Sequence, residues 1–341
     1  MTAVLICKKV TILFVAAFVF LAAFCGAARI AQAQQNRAPD PALDVQRVRP
    51  NFYVISGAGA NIGVQVGPDG LVLVDAGAKD ASAQVLAEIR KLSDQPIRYI
   101  VDTSADADHV GGNEALSKAG QTIFVGASGP GAGFVKAMTG GAASVLAYET
   151  VLARMSAPTG KTAPYPADAW PTETFHDNPK TIYFNHEGIE ALHEPAAHSD
   201  SDSFVLFRGS DVVMAGDVLD ATRFPVIDLE KGGSIQGEID ALNRLIDLAI
   251  SPIPFVFQEG GTYVIPGHGR IYDQADVVEY RDMIVIIRDV IENMLKRGMT
   301  LDQIQAADPA LPYEKQYGAK SGPWTTNNFI AAIYQSLAGK K

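Results

Sequence analysis

Short runs of β-branched and aromatic residues, separated by turn-forming residues, dominate the first third of the chain after its N-terminal segment. Gly67-Pro68-Asp69-Gly70 is one such turn, and it predicts an antiparallel meander of neighbouring strands. From Ala81 to Leu92 apolar residues recur at helical spacing, with charged residues on the opposite face. The strands that this pattern predicts in the first third lie at 52–55, 61–66, 71–75 and 97–101.

Strands and helices continue to alternate towards the C-terminus, which predicts a sheet with helices packed outside it. Residues 126–181 interrupt this pattern because they are rich in Gly, Ala, Thr and Pro, with one helical piece from about Ala143 to Met155. Further predicted strands lie at 122–125, 181–184, 189–192, 204–207, 211–215 and 262–265. Further predicted helices lie at 114–118, 234–250 and 274–297, with short helices between 300 and 337.

The N-terminal segment has the pattern of a secretion signal. Lys8 and Lys9 precede an apolar run of about fifteen residues, shorter than the roughly 20 that a membrane-spanning helix needs. Ala31-Gln32-Ala33 places small residues where a signal peptidase reads the chain, so we expect cleavage after Ala33. The mature protein is then periplasmic or secreted, without a membrane anchor.

The composition of the mature chain limits its chemistry. Both cysteines, Cys7 and Cys25, lie in the signal, so no disulfide or thiolate remains. Cleavage also removes Lys8, Lys9 and Arg29 but no acid, so the net charge changes from -10 to -13. Lys and Arg do not cluster along one face, which argues against nucleic acid as a partner. Any metal must be bound by His and carboxylate, which suits zinc or a harder ion.

Candidate ligands follow several of the predicted strands. Of the six histidines, His109, His198 and His268 lie in loops at strand ends beside small residues. Asp217, in Met214-Ala215-Gly216-Asp217, follows another strand. Four ligand-type side chains at four strand ends predict a metal site at the edge of a sheet.

These motifs resemble the metallo-β-lactamase fold superfamily of metallohydrolases. The signature loop of that family, His-x-His-x-Asp-His-x-Gly-Gly, is matched by Asp108-His109-Val110-Gly111-Gly112, and its early Asp-x-Gly turn by Asp75-Ala76-Gly77. The later motifs follow in the family's order, at His198-Ser199, Gly216-Asp217 and Gly267-His268-Gly269. The resemblance covers about residues 45–270. It implies an α/β (α+β) fold, an αββα four-layer sandwich with the metal site in a groove at one edge of two sheets.

The resemblance also implies a domain organisation. We expect a flexible lead-in at 34–44 after the signal peptide at 1–33, and a metallo-β-lactamase-like domain at 45–272. The unusual stretch 126–181 is expected to be an insertion near the active-site groove. Residues 273–341 form a C-terminal helical segment packed on the domain.

The signature loop departs from the family at two positions, because Ser104 and Asp106 stand where the first two histidines are expected. The resemblance implies that one metal position is complete, formed by Asp108, His109, His268 and Asp217. The other position keeps His198 and Asp217, and Asp106 can add a carboxylate oxygen, whereas Ser104 is a poor zinc ligand. Supporting positions beside the ligands are expected for Ser104, Asp75 and His193.

Three outcomes remain open at this point. One ion occupies the complete position, and His198 and Asp106 act as supporting or proton-transfer groups. Alternatively, two ions bind with Asp106 as a ligand, and Mn or Fe is then favoured over zinc at the oxygen-rich position. In the third outcome the site binds no metal.

A bound divalent cation lowers the pKa of water to about 7. We therefore expect an exported zinc-type hydrolase that uses a metal-bound hydroxide on an ester, amide, lactone or lactam, with Asp108 and Asp106 as catalytic groups. The alternatives are a β-lactamase proper, an iron-dependent redox protein, or a non-catalytic protein that binds a small ligand on the same fold. The expected partner is a small-molecule substrate, and the sequence indicates no oligomeric state.

Overall fold

The computed structural model describes residues 42–123, 141–157, 160–252 and 260–339, and within these the strands form two sheets. The strands of the seven-stranded sheet are neighbours in chain order: β1 Asp44–Arg49, β2 Phe52–Ser56, β3 Ile62–Gly67, β4 Gly70–Val74, β5 Ile97–Val101, β6 Ser144–Tyr148 and β7 Glu173–Phe175. The second sheet has the order β12-β11-β10-β9-β8, from β8 Lys180–Phe184, β9 Glu187–His193, β10 Ser203–Phe207, β11 Val212–Asp220 and β12 Tyr263–His268.

Strand direction in the first sheet follows the length of the connections. β1 to β4 pair antiparallel through short turns, which confirms the predicted meander. β4 to β7 pair parallel, because longer segments carry the chain back across the sheet between them. In the second sheet the pair β11–β12 is parallel and the other pairs are antiparallel.

The described helices lie at α1 Ser82–Leu92, α2 Ala107–Val110, α3 Asn113–Ala119, α4 Glu149–Met155, α5 Ile235–Leu248, α6 Gln274–Lys296, α7 Leu301–Ala307, α8 Glu314–Tyr317 and α9 Thr326–Ala338. Side chains fix where the two longest begin. Ser234 accepts a hydrogen bond from the backbone of Gly237 before α5, and Asp273 forms a capping box with Asp276 before α6. None of the described helices has the length and apolarity that a membrane span requires.

Three apolar clusters separate four layers. Phe52 of the first sheet meets Phe207 of the second edge-to-face, with 4.8 Å between ring centroids, in the cluster between the sheets. Outside the first sheet, Ile89 of α1 packs against Ile100. Outside the second sheet, one cluster joins α5, α6 and α9 to β11. The order helix, sheet, sheet, helix confirms the αββα sandwich and its C-terminal helices.

Residues 144–155 differ from the prediction. The helical piece expected from Ala143 to Met155 divides into strand β6 and helix α4. The side chains of 145–147 are all buried, because layers cover both faces of the strand. A strand covered on both faces shows no alternation of polar and apolar residues. The stretch predicted as an insertion at 126–181 therefore contains β6 and β7 of the first sheet.

Asp217 was predicted to follow a strand that ends near residue 215, but β11 continues to Asp220. The pairing register with β12 shifts on either side of Gly216, whose φ is +54°. Such a bulge extends a strand while changing the direction of its side chains. The predicted strand at 122–125 is not formed at 122 and 123, and the rest of it, like the predicted signal peptide, lies outside the described residues.

Candidate metal centre

The segment that follows β5 carries three of the predicted ligands, two of them on a short helix rather than on a loop. Asp106 precedes α2, and Asp108 and His109 lie within it. Backbone hydrogen bonds fix this helix to the end of the meander: His109 O accepts from Ala76 N at 2.7 Å, and Asp108 O accepts from Ala60 N at 3.1 Å. The ligands are therefore positioned by main-chain contacts.

All six predicted ligand side chains are brought together, in two groups. The ligand atoms within each group lie within 4.8 Å of one another. The first group is Asp108, His109 and His268, and the second is Asp106, His198 and Asp217. Asp217 also lies close to the first group, because its Oδ1 is 3.1 Å from His109 Nε2 and 3.4 Å from His268 Nε2. Asp217 thus lies between the two groups, as the family resemblance implies.

Two buried atoms in this cluster test whether the residues fit a metal ion. His109 Nε2 and Asp217 Oδ1 are 3.1 Å apart, yet neither has a hydrogen-bond partner among the described residues. Buried polar atoms are normally hydrogen-bonded. An imidazole nitrogen and a carboxylate oxygen are both zinc donors, and a shared divalent ion would satisfy both. The site therefore fits an ion.

The carboxylates around His109 favour a positive charge beside its imidazole ring. Burial lowers the pKa of His109, but the carboxylates of Asp217 and Asp75 outweigh burial and raise that pKa well above its usual value. Burial likewise raises the pKa of Asp217, but His109, His198 and His268 outweigh it and hold that pKa below its usual range. A divalent cation supplies the positive charge that these carboxylates attract.

Asp75 orients the imidazole ring of His109 through its Nδ1 atom. Its Oδ2 lies 2.8 Å from His109 Nδ1, and its carboxylate accepts hydrogen bonds from Thr103 N and Thr103 Oγ1 at 2.8 and 2.7 Å. With Nδ1 engaged, Nε2 is the nitrogen available to an ion. Asp75 thus occupies the supporting position expected for it.

His198 has a similar partner, which the sequence analysis missed. His198 Nδ1 is 3.3 Å from Asp202 Oδ1, and Asp202 also accepts a hydrogen bond from Ser199 N. Burial lowers the pKa of His198, but Asp202 outweighs burial and raises that pKa to about 9. The spacing His198-x-x-x-Asp202 within a serine-rich turn was the available signal.

The two unusual positions of the signature loop have different roles. Ser104 is buried, and its Oγ accepts a hydrogen bond from Asp106 N at 3.0 Å, so Ser104 stabilises the turn. Asp106 Oδ2 lies 3.5 Å from His198 Nε2, and Asp106 Oδ1 lies 3.0 Å from Lys231 Nζ. Sequence reasoning missed Lys231, since it lies 125 positions further along the chain.

His193 does not contact the ligands. Its ring stacks on Tyr148 with 3.4 Å between centroids, and its Nε2 is 2.9 Å from the carbonyl oxygen of Asp200. Burial lowers its pKa. The supporting role predicted for His193 is therefore not seen in its contacts.

Two cavities meet at Asp108. The smaller, of 180 Å³, is lined by Asp106, Asp108, His198, Asp217, Asp220, Arg223, Val226 and His268. The larger, of 450 Å³, is lined by Ala78, Lys79, Ala107, Asp108, Gly111, Glu114, Pro164, Tyr165, Pro166 and Ala169. Seven of the eight residues that line the first are ionisable and five of them are candidate ligands, whereas small apolar residues and Tyr165 form much of the second.

Comparison with known proteins agrees with this geometry. A family model described as the metallo-beta-lactamase superfamily matches residues 56–257. A linear primary-alkylsulfatase from Pseudomonas sp. (strain ATCC 19151) is 27% identical, over 80% of this chain and 54% of its own length. The chain thus spans about half the length of this relative.

Two solved structures share the fold. A stereoselective inverting sec-alkylsulfatase from Pseudomonas sp. matches with a TM-score of 0.61 and 16% identity, over 88% of this chain and 51% of that one. A metallo-beta-lactamase from Pontibacter korlensis matches with a TM-score of 0.51 and 17% identity, over 71% of this chain and 99% of that one.

Proposed function

The chain belongs to the metallo-β-lactamase superfamily, and we propose that this metallohydrolase cleaves sulfate esters of aliphatic alcohols. The observation that carries the metal dependence is the pair His109 Nε2 and Asp217 Oδ1, buried without hydrogen-bond partners inside the ligand cluster. We propose zinc as the resident ion, because two imidazoles and two carboxylates suit zinc at the position formed by Asp108, His109, His268 and Asp217.

When bound, the ion would act as a Lewis acid and lower the pKa of bound water to about 7. Other residues of the chain orient the candidate ligands. Asp75 and Asp202 hold the imidazoles of His109 and His198 by their Nδ1 atoms. Asp106 lines the cavity and is not among the four proposed zinc ligands, so its carboxylate can accept a proton from an attacking water.

In this proposal the anionic head group binds the ion and Arg223 in the smaller cavity, because the four carboxylates in the lining would repel it otherwise. Among the described residues that line this cavity, Arg223 is the only lysine or arginine. Its Nε lies 2.7 Å from Asp220 Oδ2, which holds the guanidinium at the cavity wall. The remaining N–H donors form a planar fork that suits the oxygens of sulfate or phosphate. A volume of 180 Å³ restricts this part of the substrate to a small group.

The larger cavity favours an aliphatic tail. It shares the wall at Asp108 with the smaller cavity, and Pro164, Tyr165 and Pro166 give it apolar surface. A sulfate ester with a short alkyl chain has this combination of a charged head and an apolar tail. The name of the curated relative, a linear primary-alkylsulfatase, points to the same class.

Release of inorganic sulfate from hexyl, octyl and dodecyl sulfate tests the proposal, with zinc-loaded and chelator-treated protein compared. A carboxylic ester, a lactone and a chromogenic cephalosporin complete the panel. We expect sulfate release that zinc supports and the chelator abolishes. Turnover of the cephalosporin alone would instead indicate a β-lactamase. Binding of alkyl sulfate without turnover of any compound would indicate a binding protein.

We further propose that the protein is exported, on the basis of the pattern in residues 1–33. Expression of the full chain in a Gram-negative host, followed by intact-mass measurement of the periplasmic fraction, is the test. A mass that begins at Gln34 is expected. Full-length protein confined to the cytoplasmic fraction would contradict export.

A further inference from the structure

A cation from the protein contacts one candidate ligand of the metal position that lacks two histidines. Asp106 Oδ1 lies 3.0 Å from Lys231 Nζ. We propose that the ammonium group of Lys231 replaces a second metal ion, so that the protein binds one ion, held by Asp108, His109, His268 and Asp217. This inference rests on the proposed metal dependence and specifies its stoichiometry.

The two positions differ in which atoms lack partners. At the complete position, His109 Nε2 and Asp217 Oδ1 are buried with no hydrogen bond in the described part of the chain. At the other position, one oxygen of Asp106 has the ammonium of Lys231 as its partner. Ser104 Oγ is engaged with the backbone of Asp106 and is not available as a ligand. Asp217 Oδ1 borders both positions, so the buried atom without a hydrogen bond that belongs to the complete position alone is His109 Nε2.

Lys231 is held in place at both its backbone and its side chain. Its Nζ lies 2.9 Å from Asp228 Oδ2, and its backbone N–H donates to Asp228 Oδ1 at 3.0 Å. Its carbonyl oxygen accepts hydrogen bonds from Asp200 N at 2.9 Å and from Arg154 Nη2 at 2.5 Å. The short helical turn Leu229–Lys231 is thus anchored to the segment beside His198. These contacts hold the backbone of Lys231 beside that segment, and its ammonium binds both Asp106 and Asp228.

This arrangement opposes a second divalent ion through charge. An ion bound by Asp106 would stand next to the Lys231 ammonium, and like charges in a partly buried site repel. Asp106 Oδ2, which lies 3.5 Å from His198 Nε2, remains open to an ion, but that ion would share one carboxylate with the ammonium on Oδ1. His198 is the single imidazole that this position offers in return, since Ser104 and Asp106 stand at the positions of the other two.

The test is the number of zinc ions bound per chain after metal removal, reloading and dialysis, measured by elemental analysis and by calorimetric titration. Lys231→Met removes the ammonium but keeps most of the side-chain stem. Lys118→Met is the matched control, because Lys118 is similarly exposed and also pairs with two carboxylates, Glu114 and Asp168. Thermal unfolding of each protein checks that it is folded.

We expect one ion in the wild type and in Lys118→Met, and two in Lys231→Met. Adding Asp106→Asn to Lys231→Met should return the number to one. Two ions in the wild type would overturn the inference, and so would one ion in folded Lys231→Met. Either result leaves the metal-dependent hydrolase intact. No ion in the wild type would instead refute the proposed function itself.

Discussion

Asp75 and Glu238 are two buried carboxyl groups with opposite surroundings. Asp75 has three partner atoms, from Thr103 and His109. Glu238 in α5 is fully buried, and neither of its carboxylate oxygens has a hydrogen-bond partner in the described part of the chain. The carboxyl group of Asp75 is thus hydrogen-bonded, whereas that of Glu238 is buried among groups that do not bond to it. Substitution of each residue should therefore change a different property, zinc affinity for Asp75 and the pH dependence of stability for Glu238.

Asp75→Asn should weaken zinc binding by about 10–100-fold, the usual loss when the group that orients a metal-binding histidine is changed. The amide keeps the shape of the side chain but removes the negative charge beside His109 Nδ1. Competition with a chromophoric chelator measures the affinity. Asp80→Asn, on the exposed turn Lys79–Ala81, is the control. Equal affinities of the two variants would show that Asp75 has no such role.

Glu238 should make the protein less stable as the pH rises. Burial, with a smaller effect of Asp202, raises its pKa well above the ordinary value of 4.5. The unfolded chain loses this proton near pH 4.5, whereas the folded protein retains it to higher pH. The free energy of unfolding should therefore fall above pH 4.5, by up to about 1.4 kcal/mol per pH unit from this group.

Glu238→Gln, which cannot ionise, should remove that part of the decrease. Urea unfolding between pH 5 and pH 8 measures it, and Glu279→Gln at an exposed position of α6 is the control. The difference in stability between the two variants should grow with pH in favour of Glu238→Gln. A difference that stays constant from pH 5 to pH 8 would contradict this explanation.

At the scale of elements, the ligand-bearing helix α2 is held by close backbone contacts that only glycine permits. A Cβ atom on Gly112 would lie 2.2 Å from the carbonyl oxygen of Ala76, at the end of the meander. Gly59 has a φ of +103°, and a Cβ there would lie 2.9 Å from the carbonyl oxygen of Asp108. Gly112 of the signature loop and Gly59 between β2 and β3 thus let α2 pack closely on the loops of the meander.

Gly112→Ala should lower the free energy of unfolding by about 1–3 kcal/mol, the usual cost of overpacking. It should also weaken zinc binding, because relief of the clash displaces α2. The control is Gly188→Ala, where an added Cβ would meet nothing nearer than 3.5 Å. Urea unfolding and chelator competition give the two quantities. Unchanged values for Gly112→Ala would mean that the loop does not depend on this contact.

Elements with helical spacing or with β-branched runs bounded by turns could be predicted from the sequence, and elements without either signal could not. The helices α1, α5 and α6 have one buried and one exposed face, and the spacing of apolar residues shows it. The meander strands β3 and β4 are largely buried, but their β-branched residues and the turn between them indicate strands. β6 is also covered on both faces but has one β-branched residue, Val145, so its sequence suggested a helix instead. The extension of β11 past Asp217 depends on a bulge at Gly216, which local sequence does not specify.

Some residues of the candidate site could likewise be predicted from the sequence, and others could not. The candidate ligands His109, His198, Asp217 and His268 could be predicted because their motifs lie at or near predicted strand ends, in the order that the family resemblance implies. Lys231 could not, because it reaches Asp106 only through the packing of a distant turn. His193 was expected beside the ligands, but stacking on Tyr148 keeps it in other contacts.

At the scale of the whole molecule, the candidate site requires both sheets. Asp108 and His109 follow β5 of the first sheet, whereas Asp217 and His268 lie on β11 and β12 of the second. Asn61 joins the sheets nearby, since its side chain donates to the carbonyl oxygen of Pro266 at 2.9 Å. An ion bound between the sheets therefore stabilises their packing, by about 2.7 kcal/mol at a free concentration 100 times its dissociation constant.

Dependence of hydrolysis on one bound ion is tested most directly by titrating metal-free protein with zinc and measuring sulfate release and bound zinc in the same samples. Sulfate release from octyl sulfate should rise in proportion to bound zinc and reach its plateau at one ion per chain. Full activity in metal-free protein, or no release of sulfate at any zinc occupancy, would contradict a zinc-dependent sulfate ester hydrolase.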